Sequence, residues 1–468
     1  MSKGKRKNEN GGGSKKVKSV WNKALVRWLI LPMLLVSAVV AQPKSADAAD
    51  DNLNLLVDSA ILIDADSGKI LYEQNADTAL GIASMTKMMT EYLMFEAIEK
   101  GQIKWDQRYS VTDYTYRISQ DRRLSNVPLR EDDSYTIKEL YEAMAIYSAN
   151  AATIAIAETI AGTETEFVAM MNKKADELGL EGYKFVNSTG LNNADLQGSH
   201  PEGTGETDEN VMPAKSVAKL AYHLMKDYPE VLETTSIPTM KFREGTSDEI
   251  KMDNWNFMLP GQVFEYKNAT VDGLKTGTTD FAGHCFTGTA TKDGMRVIAV
   301  VTKAVDSKGQ GSYKARFDAT AALFNYGFSQ FSKEEIVPAG YKFKDQKQLP
   351  VQKGKEDFVG ITVKDPIEMV VKTSEKDLYV PKLVIDKKKL TDGSLEAAIK
   401  ADEVVGQVEV VKSEGTDYGY ITGKSATSKV VTNDAVERAS WFSLGLQAVG
   451  HFFANLWDGA KGFVTGLF

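Results

Sequence analysis

The chain contains 468 residues, of which 43% are hydrophobic and 26% are charged, a composition typical of a globular protein with two or three domains. Its formal net charge is −8, although residues 1–48 hold ten Lys and Arg side chains against two acidic ones, so the rest of the chain is more acidic than the whole. Such an acidic chain is not expected to bind nucleic acid, which favours a basic surface.

The first 48 residues have the pattern of a secretory signal peptide. A basic stretch is followed by an apolar run, Leu29–Ala41, and then by Ala46-Asp47-Ala48, whose two small residues are typical of a cleavage site. The run contains Pro32 and is shorter than the roughly 20 residues that span a bilayer, which favours cleavage over the alternative of a retained anchor. We therefore predict that residues 1–48 are a signal peptide and that the protein is exported.

The next elements are a β-hairpin and a helix. Residues Leu55–Tyr72 alternate in polarity around the turn Asp64-Ala65-Asp66-Ser67-Gly68, which predicts a hairpin. Apolar residues then recur at near-helical spacing from Ser84 to Lys100, and Gly101 is a typical stop signal.

Helical patterns continue to about residue 228. Thr136 and Glu139 suit a capping box for a helix that ends near Ile146. Three further helices are predicted: one from Ala151, one from Glu166 to Leu178 and one from Ala214 to Lys226.

From about Ile237 to Val305 the pattern changes to strands, of which Val297–Val301 has the composition of a buried strand, and Arg316–Phe328 is again helical. This order predicts an α/β domain over residues 49–335, in which helices cover a mixed sheet. The single cysteine, Cys285, permits no intramolecular disulfide, and we interpret it as a small apolar strand residue.

Two segments follow this domain. Short β-rich runs separated by Lys, Asp and Gly predict a small all-β domain over residues 336–431. In residues 432–468, the aromatic and aliphatic side chains from Trp441 to Phe468 fall on one half of a helical wheel and the polar ones on the other. An amphipathic helix lying in a membrane interface suits this pattern, and a helix packed on the domain core is the alternative. We predict an anchor that holds the protein peripherally on the outer face of the cytoplasmic membrane.

Three short motifs carry candidate chemistry. The first, Ser84-Met85-Thr86-Lys87, places a hydroxyl and an amine on one face of a helix. A serine hydroxyl is a weak nucleophile that needs a base, and a lysine can serve when burial and nearby positive charge lower its pKa. Alone the motif is weak evidence, since Ser-x-x-Lys recurs by chance at Ser2–Lys5 and Ser216–Lys219.

The other two motifs are Ser148-Ala149-Asn150 and Lys275-Thr276-Gly277, followed by Thr278. The former lies between two predicted helices, as either an ordinary turn or a loop that points a hydroxyl and an amide into a cleft. The latter begins a strand-rich stretch, as either a strand edge with a glycine bulge or an edge strand that holds a substrate carboxylate. In the functional interpretation, Gly277 lets the substrate backbone approach closely.

Taken together and in this order, the three motifs form the set found in β-lactamases and penicillin-binding proteins. The sequence resembles the low-molecular-weight penicillin-binding proteins, the serine D-Ala-D-Ala carboxypeptidases, over nearly its whole length. Further matching stretches are residues 61–72, 185–191 and 323–328. The resemblance implies a β-lactamase/transpeptidase-like domain, with helices around a mixed, mainly antiparallel sheet, followed by a small all-β domain and a C-terminal amphipathic helix.

The resemblance also implies a role for each motif residue. Ser84 would be the nucleophile and Lys87 its general base. Ser148 would relay a proton to the leaving amine, and Asn150 would hold a substrate amide carbonyl and help to orient the lysine. The backbone N–H groups of Ser84 and Thr278 would form the oxyanion hole.

The implied substrate is a peptidoglycan stem peptide ending in D-Ala-D-Ala, and β-lactam antibiotics would be covalent inhibitors. Lys275, with the hydroxyls of Thr276 and Thr278, would bind the terminal carboxylate through charge-assisted hydrogen bonds. Arg316 would either add positive field there or be an ordinary surface arginine of its helix.

No metal or cofactor is expected from the sequence. The four histidines show no metal-ligand spacing: His200, His223, His284 and His451. His284 lies near the third motif, where we interpret it as a strand residue in preference to a catalyst.

Two alternatives remain from the sequence. A β-lactamase would share the nucleophile, but class A enzymes use an additional Glu to hydrolyse the acyl-enzyme, and the sequence does not place one. A non-catalytic penicillin-sensing module would need a signalling partner or domain, which is not evident, and would not need the complete motif set.

Overall fold

The computed structural model describes residues 53–443, so the predicted signal peptide and residues 444–468 of the predicted terminal helix lie outside the described residues. The helices are α1 Lys87–Glu99, α2 Asp113–Gln120, α3 Ile137–Tyr147, α4 Asn150–Ala161, α5 Glu164–Glu177, α6 Ala214–Asp227, α7 Val231–Thr235 and α8 Tyr313–Gln330. Short 3-10 turns occupy Ala83–Thr86, Asn193–Leu196, Thr373–Leu378 and Lys387–Lys389.

Up to residue 302, the strands are β1 Ser59–Asp64, β2 Ile70–Gln74, β3 Ala79–Gly81, β4 Arg108–Ser110, β5 Ser134–Thr136, β6 Val211–Pro213, β7 Thr239–Phe242, β8 Ile250–Asp253, β9 Thr270–Thr279, β10 Gly283–Lys292 and β11 Met295–Thr302. The later strands are β12 Phe331–Val337, β13 Gln348–Gln352, β14 Phe358–Val363, β15 Ile367–Lys372, β16 Tyr379–Ile385, β17 Leu390–Thr391, β18 Ser394–Glu396, β19 Val404–Lys412 and β20 Thr427–Thr432.

The main sheet has five strands in the order β2-β1-β11-β10-β9, and each neighbouring pair is antiparallel. Strands β1 and β2 form the predicted hairpin. The carboxylate of Asp64 stabilises its turn, since it accepts hydrogen bonds from the backbone N–H of Ser67 at 2.8 Å and from the hydroxyl of the same residue. Strand β9, which carries the third motif, forms one edge of this sheet.

Helices cover both faces of the sheet. Ile61 and Ile63 belong to the core on one face, where α6 contacts β1 and β11, whereas Leu62 packs with α8 on the other, as expected when successive strand side chains alternate. Because both faces are buried, the central strands β1 and β11 are largely apolar. The predicted buried strand Val297–Val301 is confirmed as part of β11.

The predicted helices are confirmed, with small shifts at their ends. The Thr136–Glu139 capping box is present: the backbone N–H of Thr136 donates to Glu139 Oε2 at 2.7 Å, and that of Glu139 donates to Thr136 Oγ1 at 3.2 Å. Helix α5 begins at Glu164, earlier than the predicted Glu166, because Thr163 caps it by accepting from the backbone N–H of Glu166 at 3.1 Å.

The β-rich region has a core of its own. Seven strands follow the order β16-β19-β20-β14-β13-β18-β17, and β12 pairs with β15. The pairing of β12 starts at Phe331, ahead of the predicted boundary at residue 336.

The turn of the β1–β2 hairpin contacts the β-rich region. Lys69 is 2% exposed and forms an ion pair with Asp417 at 2.8 Å. Its ammonium also lies 5.4 Å and 5.0 Å from the ring centres of Tyr379 and Tyr420, within range of cation–π attraction. Backbone hydrogen bonds of 2.9 Å run from the N–H of residue 70 to the carbonyl of 419 and from the N–H of 421 to the carbonyl of 68.

Cys285 is a fully buried residue of β10, which confirms its interpretation as a strand residue. Among residues 53–443, the helices are too short or too polar to cross a bilayer.

Candidate active site

The first motif lies where a tight turn becomes a helix. Ser84 is part of the 3-10 turn Ala83–Thr86, and Lys87 begins α1 directly behind it. Ala83 has a φ of +46°, a left-handed conformation that costs an L-residue roughly 1–2 kcal/mol. This strained turn leaves Ser84 partly exposed and buries the lysine completely.

Lys87 Nζ has three hydrogen-bond contacts: Ser84 Oγ at 3.0 Å, Asn150 Oδ1 at 2.8 Å and the backbone carbonyl of Thr189 at 2.7 Å. The carbonyl can only accept a hydrogen bond. The Asn150 amide is oriented by Ser125, whose backbone carbonyl accepts from Nδ2 at 3.0 Å, so the oxygen of this amide must face the lysine.

These contacts can accommodate a neutral amine. A neutral amine has two N–H groups, which the Thr189 carbonyl and the Asn150 oxygen accept, and one lone pair, which remains for the Ser84 hydroxyl. Burial and the positive charge of Lys275 hold the pKa of Lys87 well below its usual value. The arrangement can therefore take a proton from a serine hydroxyl.

The second motif joins α3 to α4. Ser148 caps the C-terminus of α3 with a φ of +59°, and Asn150 begins α4. This sharp change of direction holds both side chains, which are 5% and 2% exposed, at the wall of a cavity. The loop interpretation of this motif therefore agrees with the structure.

The third motif lies on β9, which is an edge strand as the sequence indicated. Lys275 is 3% exposed and its Nζ donates to the backbone carbonyl of Thr276 at 3.2 Å. Burial lowers the pKa of Lys275, and the charge of Arg316 acts in the same direction. Thr278 is exposed at the end of the motif.

Gly277 has a different packing role from the expected one. A Cβ atom at this position would lie 2.5 Å from the carbonyl oxygen of Ile82 and 3.2 Å from the Cβ of Ala83. The glycine therefore permits the close approach of β9 to the turn that carries Ser84, and the substrate is not needed to explain it.

Arg316 is buried, with 1% exposure, so its interpretation as a surface arginine is wrong. From α8, its Nη1 donates to the carbonyl of Gly277 at 3.2 Å, to Thr278 Oγ1 at 3.0 Å and to the carbonyl of Cys285 at 3.3 Å. Burial lowers its pKa to about 10, which leaves the guanidinium charged at neutral pH. It places positive charge directly behind the third motif.

Sequence reasoning did not assign a function to residues 185–191, although it noted the stretch. Thr189 provides a carbonyl to Lys87, and the Asn187 side chain shapes this loop by accepting from the backbone N–H groups of Thr189 at 3.1 Å and Gly190 at 2.7 Å. Gly190 has a φ of +83°, and a Cβ there would lie 1.9 Å from the carbonyl oxygen of Ala83. An Asn followed three positions later by Gly is the signal that could have indicated a tight loop.

Two buried carboxyl groups also escaped the sequence analysis. Glu91 lies one helical turn after Lys87, is 1% exposed, and has an Oε1 with no hydrogen-bond partner in the described part of the chain. Burial raises its pKa, while Lys275 and Lys87 oppose the shift. Glu164 is buried too, but its carboxylate accepts hydrogen bonds from Ser188 and Tyr114.

The predicted site residues surround one cavity of about 620 Å³. Six of them line it: Ser84, Ser148, Asn150, Thr276, Thr278 and Arg316. Lys87, Lys275 and Gly277 lie behind this lining. The remaining wall comes from residues 119–126 and Pro128, Tyr147, Leu191, Trp255 and Tyr313.

Between residues 53 and 443, no group of three or more His, Cys, Asp or Glu side chains is arranged to hold a metal ion. His284 lies on β10, as expected for a strand residue, and packs edge-on against Tyr313 with ring centres 5.2 Å apart.

Comparison with known families and curated proteins agrees with this geometry. Residues 44–306 match the model of the peptidase S11 family, described as D-alanyl-D-alanine carboxypeptidase, and residues 331–438 match the C-terminal domain of penicillin-binding protein 5. The D-alanyl-D-alanine carboxypeptidase DacF of Bacillus subtilis is 33% identical over 83% of this chain and 89% of its own length. DacA of Escherichia coli is 27% identical over 83% of this chain and 89% of its own length.

Solved structures show the same relationship. A peptidoglycan synthesis regulatory factor (PBP3) of Streptococcus pneumoniae is similar with a TM-score of 0.66 and 36% identity, over 81% of this chain and 99% of that protein. Penicillin-binding protein 5 of Haemophilus influenzae is similar with a TM-score of 0.62 and 25% identity, over 82% and 98% of the two chains. The fold, the three motifs around one cavity and these similarities lead to one conclusion: the chain belongs to the D-alanyl-D-alanine carboxypeptidase family, peptidase S11.

Proposed function

We propose that this D-alanyl-D-alanine carboxypeptidase removes the terminal D-alanine from peptidoglycan stem pentapeptides through an acyl-enzyme on Ser84. The observation that carries this proposal is the position of Lys87: its buried Nζ lies 3.0 Å from Ser84 Oγ, while the Asn150 oxygen and the Thr189 carbonyl accept its hydrogen bonds. A base placed in this way gives a serine the nucleophilicity that acyl transfer needs.

The proposed reaction follows from these positions. Lys87 Nζ takes the hydroxyl proton of Ser84 as its Oγ attacks the carbonyl carbon of the penultimate D-alanine. The backbone N–H groups of Ser84 and Thr278 stabilise the oxyanion, each such donor contributing about 3 kcal/mol. Ser148 passes the proton to the leaving nitrogen, the C–N bond breaks, and water then hydrolyses the ester. Asn150 holds the lysine and an amide carbonyl of the substrate.

The terminal carboxylate of the substrate would lie against β9 and α8. Lys275 supplies charge, the hydroxyls of Thr276 and Thr278 supply hydrogen bonds, and Arg316 adds positive field through its contact with Thr278 Oγ1 at 3.0 Å. A neutral pocket would leave this carboxylate without compensation for its lost water.

A β-lactam antibiotic would acylate the same serine, and the described residues favour slow release of that acyl group over β-lactamase turnover. Asp121 is the one acidic residue among those lining the cavity, and it is paired with Arg123. Glu164 does not line the cavity, and Ser188 and Tyr114 already occupy its carboxylate.

Two measurements on the purified protein test the function. We expect release of D-alanine from an acyl-D-Ala-D-Ala peptide, together with a long-lived penicillin adduct on Ser84. Rapid penicillin turnover would identify a β-lactamase instead. A stable adduct without any release of D-alanine would identify a penicillin-sensing module.

The pH dependence of acylation tests the role of Lys87. Because the neutral amine is the active form, the rate of penicillin acylation should rise with pH. The midpoint of this rising limb should lie below the usual pKa of lysine. The Glu91 carboxylate raises the pKa of Lys87, so Glu91→Gln should move this limb to lower pH. The measurement is the second-order acylation rate constant as a function of pH.

Glu99→Gln is the matched control, because Glu99 is an exposed carboxylate on the same helix. Its limb should coincide with that of the wild type. A limb that moves to higher pH in Glu91→Gln, or an acylation rate that does not depend on pH, would contradict the role of Lys87 as the base.

We further propose that the exported protein is held peripherally at the outer face of the cytoplasmic membrane by its C-terminal segment. The one-sided distribution of aromatic residues after Trp441 supports this, as do the 85% and 64% exposures of Trp441 and Phe442. Removing residues 441–468 should abolish co-sedimentation with lipid vesicles and leave activity on small peptides near normal.

Two double variants of the full-length protein test whether the apolar face of this segment is responsible for vesicle binding. Phe452→Ser with Phe463→Ser should lose vesicle binding, whereas Gln447→Ala with Asn455→Ala on the polar half should retain it. Vesicle binding by the truncated protein would show that the anchor lies elsewhere.

A further inference from the structure

Two adjacent arginines of the cavity wall differ in their surroundings. Arg123 forms a two-pronged ion pair with Asp121, with Nε 3.1 Å from Oδ1 and Nη2 2.6 Å from Oδ2. Arg122 is exposed, lines the same cavity, and has no hydrogen bond or ion pair with any of residues 53–443. The reaction proposed above does not use it.

The segment that carries Arg122 is fixed to the second motif. The backbone N–H and the side-chain Nδ2 of Asn150 both donate to the carbonyl of Ser125, at 2.9 Å and 3.0 Å. The backbone N–H of Ala151 donates to Asn126 Oδ1 at 2.9 Å, and Asn126 Nδ2 donates to the carbonyl of Ile118 at 2.8 Å. The chain just beyond Arg122 is thus fixed beside the residue that would hold an amide of the substrate.

Two groups of lining residues, one on β9 and α8 and the other near Asn150, would contact different ends of the substrate. The leaving D-alanine carboxylate is assigned to β9 and α8, where Thr276, Thr278 and Arg316 line the cavity. Arg122 lies in the turn after α2, and the residues just beyond it, Ser125 and Asn126, bond to Asn150 and Ala151, so we assign it to the acyl side of the scissile bond. Asp121 is the one acidic side chain in the described lining, and it is already paired with Arg123.

We propose that Arg122 is a specificity residue that binds a carboxylate on the acyl side of the scissile bond, so that the preferred substrates are D-Ala-D-Ala peptides carrying a free carboxylate upstream. The inference rests on the proposed function and deepens it. A guanidinium without a protein partner provides charge-assisted, two-pronged hydrogen bonds to such a group.

The test uses two peptides that differ only in one upstream side chain, which carries a carboxylate in one and a carboxamide in the other. The wild type should favour the carboxylate peptide about 3- to 10-fold in kcat/KM, the range expected for a solvent-accessible charged contact. Arg122→Gln should abolish this preference while its kcat/KM for the carboxamide peptide stays within about twofold of the wild type. The preference should also weaken at high salt, because an exposed ion pair is screened.

The double variant Asp121→Asn with Arg123→Gln is the matched control, because it removes the neighbouring ion pair without changing the net charge of the lining. It should retain most of the preference. Equal preference of the wild type for both peptides, an unchanged preference in Arg122→Gln, or the same loss in the double control variant would each overturn the proposal.

Competition against penicillin separates this inference from the proposed function. The two peptides should slow penicillin acylation of Ser84 with the same order of preference, and this readout does not require hydrolysis. Absence of D-alanine release would refute the proposed function, whereas equal competition by the two peptides would refute the role of Arg122.

Discussion

Replacing Lys87 by methionine is expected to slow the acylation of Ser84 by penicillin about 10²- to 10⁴-fold, the range that a positioned general base contributes. Methionine matches the length of the buried stem but has neither a lone pair of suitable basicity nor an N–H group. The Asn150 oxygen and the Thr189 carbonyl would each lose a donor, at a cost of about 1–3 kcal/mol per unsatisfied group. Stopped-flow acylation and a thermal unfolding curve of the same sample separate the chemical effect from the structural one.

Lys87→Arg is the informative companion variant. Arginine keeps a positive charge at this position but cannot be deprotonated in a protein. If the lysine acts as a base, both variants lose acylation. Retention of near wild-type acylation by Lys87→Arg, in protein that unfolds at the normal temperature, would show that only the charge matters and would contradict the proposed mechanism.

Gly190→Ala is expected to reduce acylation by about 10²-fold or more, although Gly190 does not line the cavity. An added Cβ would lie 1.9 Å from the carbonyl oxygen of Ala83 and 2.8 Å from Thr86 Oγ1, so the turn that carries Ser84 must move by about 1 Å. A displacement of this size at reacting atoms costs about 100-fold in rate. Overpacking of this kind also destabilises a protein by about 1–3 kcal/mol.

Gly198→Ala separates this clash from simple backbone strain. Gly198 has a φ of +80°, close to the +83° of Gly190, and an added Cβ there has no atom within 4 Å. This control should lose some stability, because alanine is strained at positive φ, and should acylate normally. If the two variants had similar acylation rates, the contact between Gly190 and the serine turn would be irrelevant to catalysis.

The local geometry of the three motifs can be predicted from the sequence because each motif is short. Ser84 and Lys87 share a face through helix geometry alone, and the turn between α3 and α4 fits the residue types at Ser148 and Asn150. The hairpin, the capping box at Thr136 and the buried strand in β11 are likewise encoded within a few residues of one another.

The rest of the site depends on contacts between segments that are distant in the chain. The Thr189 carbonyl bonded to Lys87 lies 102 residues further on, and a backbone group carries no mark in a sequence. The burial of Arg316 and Glu91 depends on how α8, β9 and α1 pack, which periodicity cannot reveal. For the same reason, the sequence alone points to a substrate contact at Gly277, whereas its immediate neighbour is the carbonyl of Ile82.

The contact of the hairpin turn with the β-rich region limits how this enzyme can be shortened. Lys69 is covered by rings from the region beyond residue 331, and the backbone at residues 68 and 70 takes its partners from residues 419 and 421. A peptidase fragment that ended before β12 would expose the Lys69 ammonium to water. It would also lose the backbone hydrogen bonds that residues 68 and 70 make with residues 421 and 419. Expression of the catalytic part alone therefore removes the ion pair, the ring contacts and the backbone hydrogen bonds of this turn.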